Sequence, residues 1–224
     1  MIVKGWVLGC LMTALGLAQI PPSQSELKAY QGLFAAVVQG DTAQIETFAK
    51  TAELEQRDSS GRTALLLAAH LGQHDVAKTL LAAGADANAM DNQSYDILTI
   101  AAVNNDIAMI DLALAGGANP GNITSPYDGT ALIAAAHLGN IETIERLIQA
   151  KAPLDHVNNL GWTALIEAIV LGDGGQRHTA VVKALLDAGA NPHLADSRGI
   201  SPLELAKARA FDEMVFLLEE ATRP

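Results

Sequence analysis

The stretch from Asp128 to Gly139 reads DGTALIAAAHLG, and it decides the fold because its pattern recurs along the chain. Its Thr-Ala-Leu anchor, or a variant of it, is separated from the next copy by steps of 33, 34, 33 and 38 residues. A nearly fixed period of this length indicates a solenoid of stacked repeats. The five anchors begin at Thr63, Asp96, Thr130, Thr163 and Ser201.

Each repeat predicts two short helices. The residue that opens the anchor can cap the first helix with its side-chain oxygen, and the alanine pair that follows, as at Ala135-Ala136, lets neighbouring helices approach closely. A second apolar stretch such as Leu147-Ile148 and a small-residue stop then complete the unit. Half of the chain is hydrophobic but only 4% is aromatic, which is typical of helices rich in Ala and Leu. Such short helices are unstable alone and bury their apolar faces only against the next copy.

This pattern resembles the ankyrin repeat, a unit of about 33 residues that opens with T-P-L-H-x-A. The resemblance covers residues 26–224 and implies an all-α solenoid of about six helix–turn–helix repeats, including a cap at each end. The N-terminal cap is expected to hold two helices between Glu26 and Lys50. The chain is most similar to exported bacterial ankyrin proteins. It departs from the family motif in its histidine, which is replaced by Leu66, Ile133, Ile166 and Glu204, and in its proline, kept only at Pro202.

Two places depart from the regular period. The copy from Asn92 to Thr124 has lost its Thr and Gly, so we expect it to be the least regular unit. The 38-residue step predicts an insertion of about five residues, Asp173 to Arg177, between the two helices of one repeat. Insertions in a solenoid often lie on a functional face, although surface loops also tolerate them without function.

The N-terminus predicts export. Lys4 precedes an uncharged, mostly apolar run from Gly5 to Leu17, and small residues at Gly16 and Ala18 fit cleavage before Gln19. We therefore expect a signal peptide at 1–18, a short linker at 19–25, the repeat domain at 26–224, and a periplasmic or secreted protein. An uncleaved anchor is the alternative, but the run is shorter than the roughly 20 residues that span a bilayer. The sequence before Cys10 resembles a lipoprotein cleavage box only weakly.

The charge balance restricts the partners. Acidic residues outnumber basic ones by 25 to 14, for a net charge of −11. Such a chain repels phosphate backbones and anionic lipids, so we expect no nucleic-acid binding and no membrane insertion once the signal is cleaved. A protein partner with a basic face would be favoured. The single cysteine, Cys10, lies in the predicted signal, which leaves the mature chain without thiol chemistry.

The six histidines do not form a recognisable metal motif. His70 and His74 are four residues apart, but Gly72 lies between them and is expected to end the helix. His70 and His137 occupy equivalent positions two repeats apart, so we expect the stack to keep them distant. No H-E-x-x-H or Cys/His spacing is present.

Catalytic patterns are also missing from the sequence. The run from Gly172 to Gly175 lacks the G-K-[ST] of a phosphate-binding loop. No Ser/His/Asp order, carboxylate pair or G-x-S-x-G turn is visible, and Glu142, Glu145 and Glu167 are interpreted as helix-surface or packing residues. We expect no enzymatic activity, no cofactor and no metal.

The resemblance implies a protein-binding surface on the concave side, formed by the turn tips and the exposed flank of the first helices. Aromatic residues and arginine are frequent anchors of such surfaces, although Trp162 and Tyr95 could instead pack against neighbouring turns. The insertion offers a second binding loop, formed by Asp173, Gln176, Arg177 and His178. Mapped onto this chain, the concave surface comprises Arg62, His70, Tyr95, Asn104, Tyr127, His137, Trp162, Leu171 and Arg198.

Three functions remain open at this point. The first is an exported, monomeric protein-binding module that assists, protects or regulates its partner. The second is an immunity-type inhibitor that blocks a toxic exported enzyme with its acidic face and the insertion. The third, from another class, is a metal binder or enzyme that uses the histidines.

Overall fold

The computed structural model describes residues 19–49 and 54–223, in which the secondary structure is helical apart from one isolated bridge between Thr124 and Gly129. The predicted signal peptide lies outside the described residues. In the described part, no helix is long and apolar enough to cross a membrane. The helices are α1 (Gln24–Ala29), α2 (Gly32–Gln39), α3 (Thr42–Ala49), α4 (Ala64–His70), α5 (His74–Ala82), α6 (Ile97–Asn104), α7 (Ile107–Ala115), α8 (Ala131–Leu138), α9 (Ile141–Gln149), α10 (Ala164–Val170), α11 (Gln176–Asp187), α12 (Pro202–Ala208) and α13 (Asp212–Ala221).

The helices from α2 onward form six antiparallel pairs that stack in chain order. The first helices, α2, α4, α6, α8, α10 and α12, each contact the next along one layer, and the second helices do the same along the other. Alanines of the first helices, such as Ala68, Ala101 and Ala135, are completely buried where the repeats meet. This confirms the predicted all-α solenoid of six repeats, with its core spread along the stack.

Each anchor residue caps its first helix as predicted. The hydroxyl oxygens of Thr63, Thr130 and Thr163 each accept a hydrogen bond from a backbone N–H three residues later, at 3.3 Å. Ser201 forms a reciprocal pair with Glu204, because the glutamate also accepts from the serine backbone. These caps satisfy amide groups that have no partner within the helix.

The turns between repeats share one hydrogen-bonding pattern. A carboxylate or amide oxygen at the start of the turn accepts from the backbone N–H groups two and four residues later, as Asp91 does from Gln93 and Tyr95. The tips also bond to each other, since the amide N–H of Asn92 donates to the carbonyl of Ser60 at 3.0 Å. The same arrangement begins at Asp58, Asn158 and Asp196.

The unit expected to be least regular is in fact regular where it begins. Asp96 replaces the capping threonine and accepts from Thr99 N–H at 2.8 Å, while Ser94 takes the left-handed conformation usually left to glycine. The irregular turn follows this unit. Between Thr124 and Gly129 the closing hydrogen bond spans one residue more than in the other turns, which accounts for the 34-residue step.

Two further predictions need correction. The N-terminal cap contains three helices, because Tyr30 adopts an extended conformation that separates α1 from α2. The predicted insertion, Asp173 to Arg177, is only partly a loop. Its last two residues belong to α11, which has 12 residues where the other second helices between the caps have 9.

Candidate functional site: a cavity between the first helices

A cavity of about 470 Å³ lies where the ends of α4, α6 and α8 meet the irregular turn. Val103, Ile133 and Leu138 give it apolar walls, and Gln19 and Pro21 reach it from the N-terminal segment. Its volume falls in the range of ordinary ligand pockets. Five residues of the predicted concave surface line it: His70, Tyr95, Asn104, Tyr127 and His137.

The histidines at equivalent positions therefore border one space. His70 and His137 both line the cavity, which extends across the repeat that we expected to separate them. Nε2 of His70 is buried and has no hydrogen-bond partner among the described residues. Burial, assisted by the Arg62 guanidinium and opposed by Asp58, lowers the pKa of His70 to about 4. His70 is consequently neutral at pH 7.

The carboxylate of Glu167 forms part of the same wall. Glu167 is only 2% exposed, and Oε1 lies 3.4 Å from Nδ1 of His137. Its other oxygen, Oε2, has no hydrogen-bond partner within the described chain. A buried carboxylate oxygen left unpaired costs free energy, so it needs an explanation.

Glu167 was predicted to occupy an ordinary helix-surface or packing position, and in the structure it is buried in the wall of the cavity. A comparison of the repeats with one another identifies Glu167 as exceptional. The fourth residue after each anchor is apolar in the other four copies and acidic only here. Those four residues are Leu67, Ile100, Ala134 and Leu205.

Arg62 was predicted to contact a partner, and the structure contradicts this. Its side chain is 1% exposed and forms ion pairs with Asp58 at 2.7 Å and Glu26 at 2.6 Å. The Tyr30 hydroxyl donates to Asp58 at 2.6 Å in the same network. Arg62 therefore fastens the N-terminal helix to the first turn. The repeat pattern could not predict this burial, because it results from contacts between Arg62 and the N-terminal cap.

Tyr95 also differs from the prediction of an exposed anchor. It is 3% exposed and belongs to the core, with its remaining surface on the cavity. Burial, with help from Asp91 and Tyr127, raises its pKa well above the ordinary value. Tyr95 therefore shapes the cavity and does not project from the surface.

The remaining concave-surface residues lie outside the cavity lining. Trp162 is half-buried against the core, and Asn158 accepts from the Trp162 backbone at 3.0 Å. Leu171 is also half-buried. Arg198 is exposed and pairs with the buried Asp196 at 2.7 Å. The predicted concave surface therefore divides into two parts. One part lines the cavity, and the other, called the flank below, lies outside it and includes Trp162.

The predicted second binding loop is fastened to the repeat before it. His178 contacts Asp173 at 3.2 Å through Nδ1 and the backbone carbonyl of His137 at 3.0 Å through Nε2. Arg177 donates to the carbonyl of Leu138. Gln176 and Arg177 are exposed on the first turn of α11. The insertion thus braces the end of α8 beside the cavity.

No group of three or more His, Cys, Asp or Glu side chains in the described ranges is arranged to hold a metal ion. The described residues form a stack of helix pairs with a cavity between the first helices. This arrangement is that of a helical repeat protein. Family patterns agree with this class: "Ankyrin repeats (3 copies)" matches residues 98–196 and "Ankyrin repeat" matches 60–92. The chain belongs to the ankyrin-repeat family, whose members are generally non-catalytic protein-binding scaffolds.

Its relatives include bacterial proteins of similar length. YahD, an ankyrin repeat protein of Escherichia coli K12, is 36% identical over 186 residues, which cover 82% of this chain and 92% of YahD. An ankyrin repeat domain from Acinetobacter baumannii AYE is 40% identical with a TM-score of 0.80, over 84% of this chain and 96% of that one.

A third similarity is to a chain from a complex of a predatory endopeptidase of Bdellovibrio bacteriovorus with an immunity protein. It is 26% identical with a TM-score of 0.70, and it covers 85% of this chain and 98% of that chain.

Proposed function

We propose that this protein is an exported, monomeric module that binds a protein partner through the cavity and the neighbouring flank around Trp162. The observation that carries the proposal is the cavity itself, a recess lined by five residues of the predicted concave surface. Three of its polar atoms have no hydrogen-bond partner among the described residues: Nε2 of Gln19, Nε2 of His70 and Oε2 of Glu167. The net charge of −11 favours a partner with a basic face. We assign no catalytic role to the chain, and its part would be to assist, protect or regulate the partner.

An affinity pull-down from the exported fraction of the producing cell tests this proposal. The purified protein should retain a specific partner at low salt and less of it at moderate salt, because exposed charges are screened. Trp162→Ala should weaken the captured complex about thirtyfold, corresponding to about 2 kcal/mol for an aromatic anchor. Glu219→Ala, on the C-terminal cap, should have little effect. Unchanged binding by Trp162→Ala would move the interface away from the flank.

The similarity to the immunity-protein complex favours one specific version of this function, an inhibitor of a toxic exported enzyme. The acidic surface and the insertion beside the cavity would then cover a basic active site. The captured partner distinguishes the versions. An inhibitor abolishes the partner's enzymatic activity at equal concentrations, whereas an assisting module leaves that activity intact or prolongs it.

Export itself is open to direct measurement. The proposal expects cleavage before Gln19, so protein recovered from the exported fraction should have an intact mass that lacks the first eighteen residues. Full-length protein that remains in the cytosol would contradict both the export and the periplasmic or secreted location.

A further inference from the structure

We propose that the cavity receives a lysine side chain of the protein partner, with its ammonium group paired to the Glu167 carboxylate. This inference rests on the proposed protein-binding function and names the chemistry that the site recognises. It would make one basic residue of the partner the centre of the interface.

The wall of the cavity contains an unpaired acceptor. Glu167 is 2% exposed and Oε2 has no hydrogen-bond partner among the described residues. The four equivalent positions carry apolar residues, so packing of the repeat does not require an acid here. An incoming cation supplies the missing partner, and a hydrogen bond to a charged group is stronger than one between neutral groups.

The cavity lining combines an acidic group with apolar walls. Glu167 contributes a carboxylate, and no lysine or arginine of the described chain lines the cavity. Val103, Ile133 and Leu138 offer apolar contact to the methylene stem of a long side chain. Tyr95 and Tyr127 add aromatic rings, which attract cations through their faces. The lining therefore suits a charged group on an apolar stem.

The surroundings of Glu167 favour lysine over arginine. A guanidinium binds best when it meets both oxygens of a carboxylate in a planar, bidentate pair. Oε1 of Glu167 lies 3.4 Å from Nδ1 of His137 and is shared with that imidazole, whereas Oε2 is the oxygen without a partner among the described residues. A single acceptor matches the compact ammonium of lysine.

The test uses blocked amino acids as probes of the cavity. Nα-acetyl-lysine N-methylamide is titrated into the ¹⁵N-labelled protein and compared with the norleucine compound, which keeps the apolar stem but lacks the ammonium group. We expect the lysine probe to shift the amide signals of Val103, Ala134 and Leu138. It should bind at least about tenfold more tightly than norleucine and more tightly than the arginine compound.

Two variants of Glu167 and one control complete the experiment. Glu167→Gln preserves the shape but removes the charge, so it should bind lysine no better than norleucine. Glu167→Leu restores the apolar residue of other repeats and should melt at a higher temperature than the wild type while losing the lysine preference. Glu142→Gln, an exposed acid of α9 outside the lining, should bind as the wild type does.

The inference is overturned if the wild type binds neither probe, binds both equally, prefers arginine, or keeps its lysine preference in Glu167→Gln. These results remain separate from the pull-down. If a partner is captured equally by the wild type and Glu167→Gln, the protein-binding function stands and the lysine assignment fails. If the lysine probe binds but no partner is retained, the cavity chemistry stands and the protein-binding function fails.

Discussion

Nδ1 of His137 lies 3.4 Å from Oε1 of Glu167, so the first helices of two adjacent repeats, α8 and α10, are linked beside the cavity by an imidazole and a carboxylate. The same histidine offers its backbone carbonyl to His178 of α11. The side chain and the backbone of His137 thus connect the cavity wall to the insertion. A partner seated in the cavity would contact both elements.

Arg62→Met should lower the free energy of unfolding by about 3–5 kcal/mol, because it leaves the buried Asp58 carboxylate without its cation. Urea denaturation followed by circular dichroism measures the change. Arg146→Met is the matched control, since its pair with Asp111 spans 3.6 Å and is solvent-exposed. That variant should lose less than about 1 kcal/mol. Similar losses in both variants would show that Arg62 is not a buried structural cation.

His70 should make the protein less stable as the pH falls from about 6.5 to about 4. Its pKa is lowered to about 4 in the folded state, while the unfolded chain takes up the proton near the ordinary value of about 6.5. The unfolded state therefore binds more protons throughout this window, which favours unfolding as the solution becomes more acidic.

Urea denaturation across this pH range measures the effect. His70→Gln should flatten the curve of unfolding free energy against pH. His193→Gln, which removes an exposed histidine, is the control. The His70 ring protons should also titrate with a midpoint near pH 4 in an NMR experiment. A midpoint near 6.5 would mean that the ring is open to solvent.

Most of the fold could be predicted from the repeat, because each anchor specifies its own cap, its small-residue contact and its place in the stack. The repeat could not place Arg62 or Tyr95, since Arg62 is buried by contacts with the N-terminal helix and Tyr95 lies in the core beside the cavity. Five of the nine concave-surface residues do line one cavity. The anchors do not identify Glu167, because it lies four residues inside the helix, where the other copies carry apolar residues.

Ala135→Leu should destabilise the protein by about 1–3 kcal/mol. Ala135 is completely buried where first helices stack, and three additional carbons there force neighbouring side chains away from their preferred rotamers. Thermal melting measures the loss. Ala208→Leu, at an exposed position of α12, is the control and should melt close to the wild type. A neutral Ala135→Leu variant would mean that the helices are not in close contact at this point.

Ala134→Leu makes the same change at the adjacent residue, but it should preserve stability and weaken binding. Ala134 is half-buried and lines the cavity, and the equivalent positions of two other repeats carry Leu67 and Leu205. The larger side chain therefore has room, and we expect the melting temperature to stay within a few degrees of the wild type. It would occupy part of the space between the apolar walls and Glu167, so partner capture and lysine-probe binding should both fall at least about tenfold. Binding at the wild-type level by a well-folded Ala134→Leu protein would place the interface outside the cavity, and a large loss of stability would mean that the cavity cannot accommodate leucine at this position.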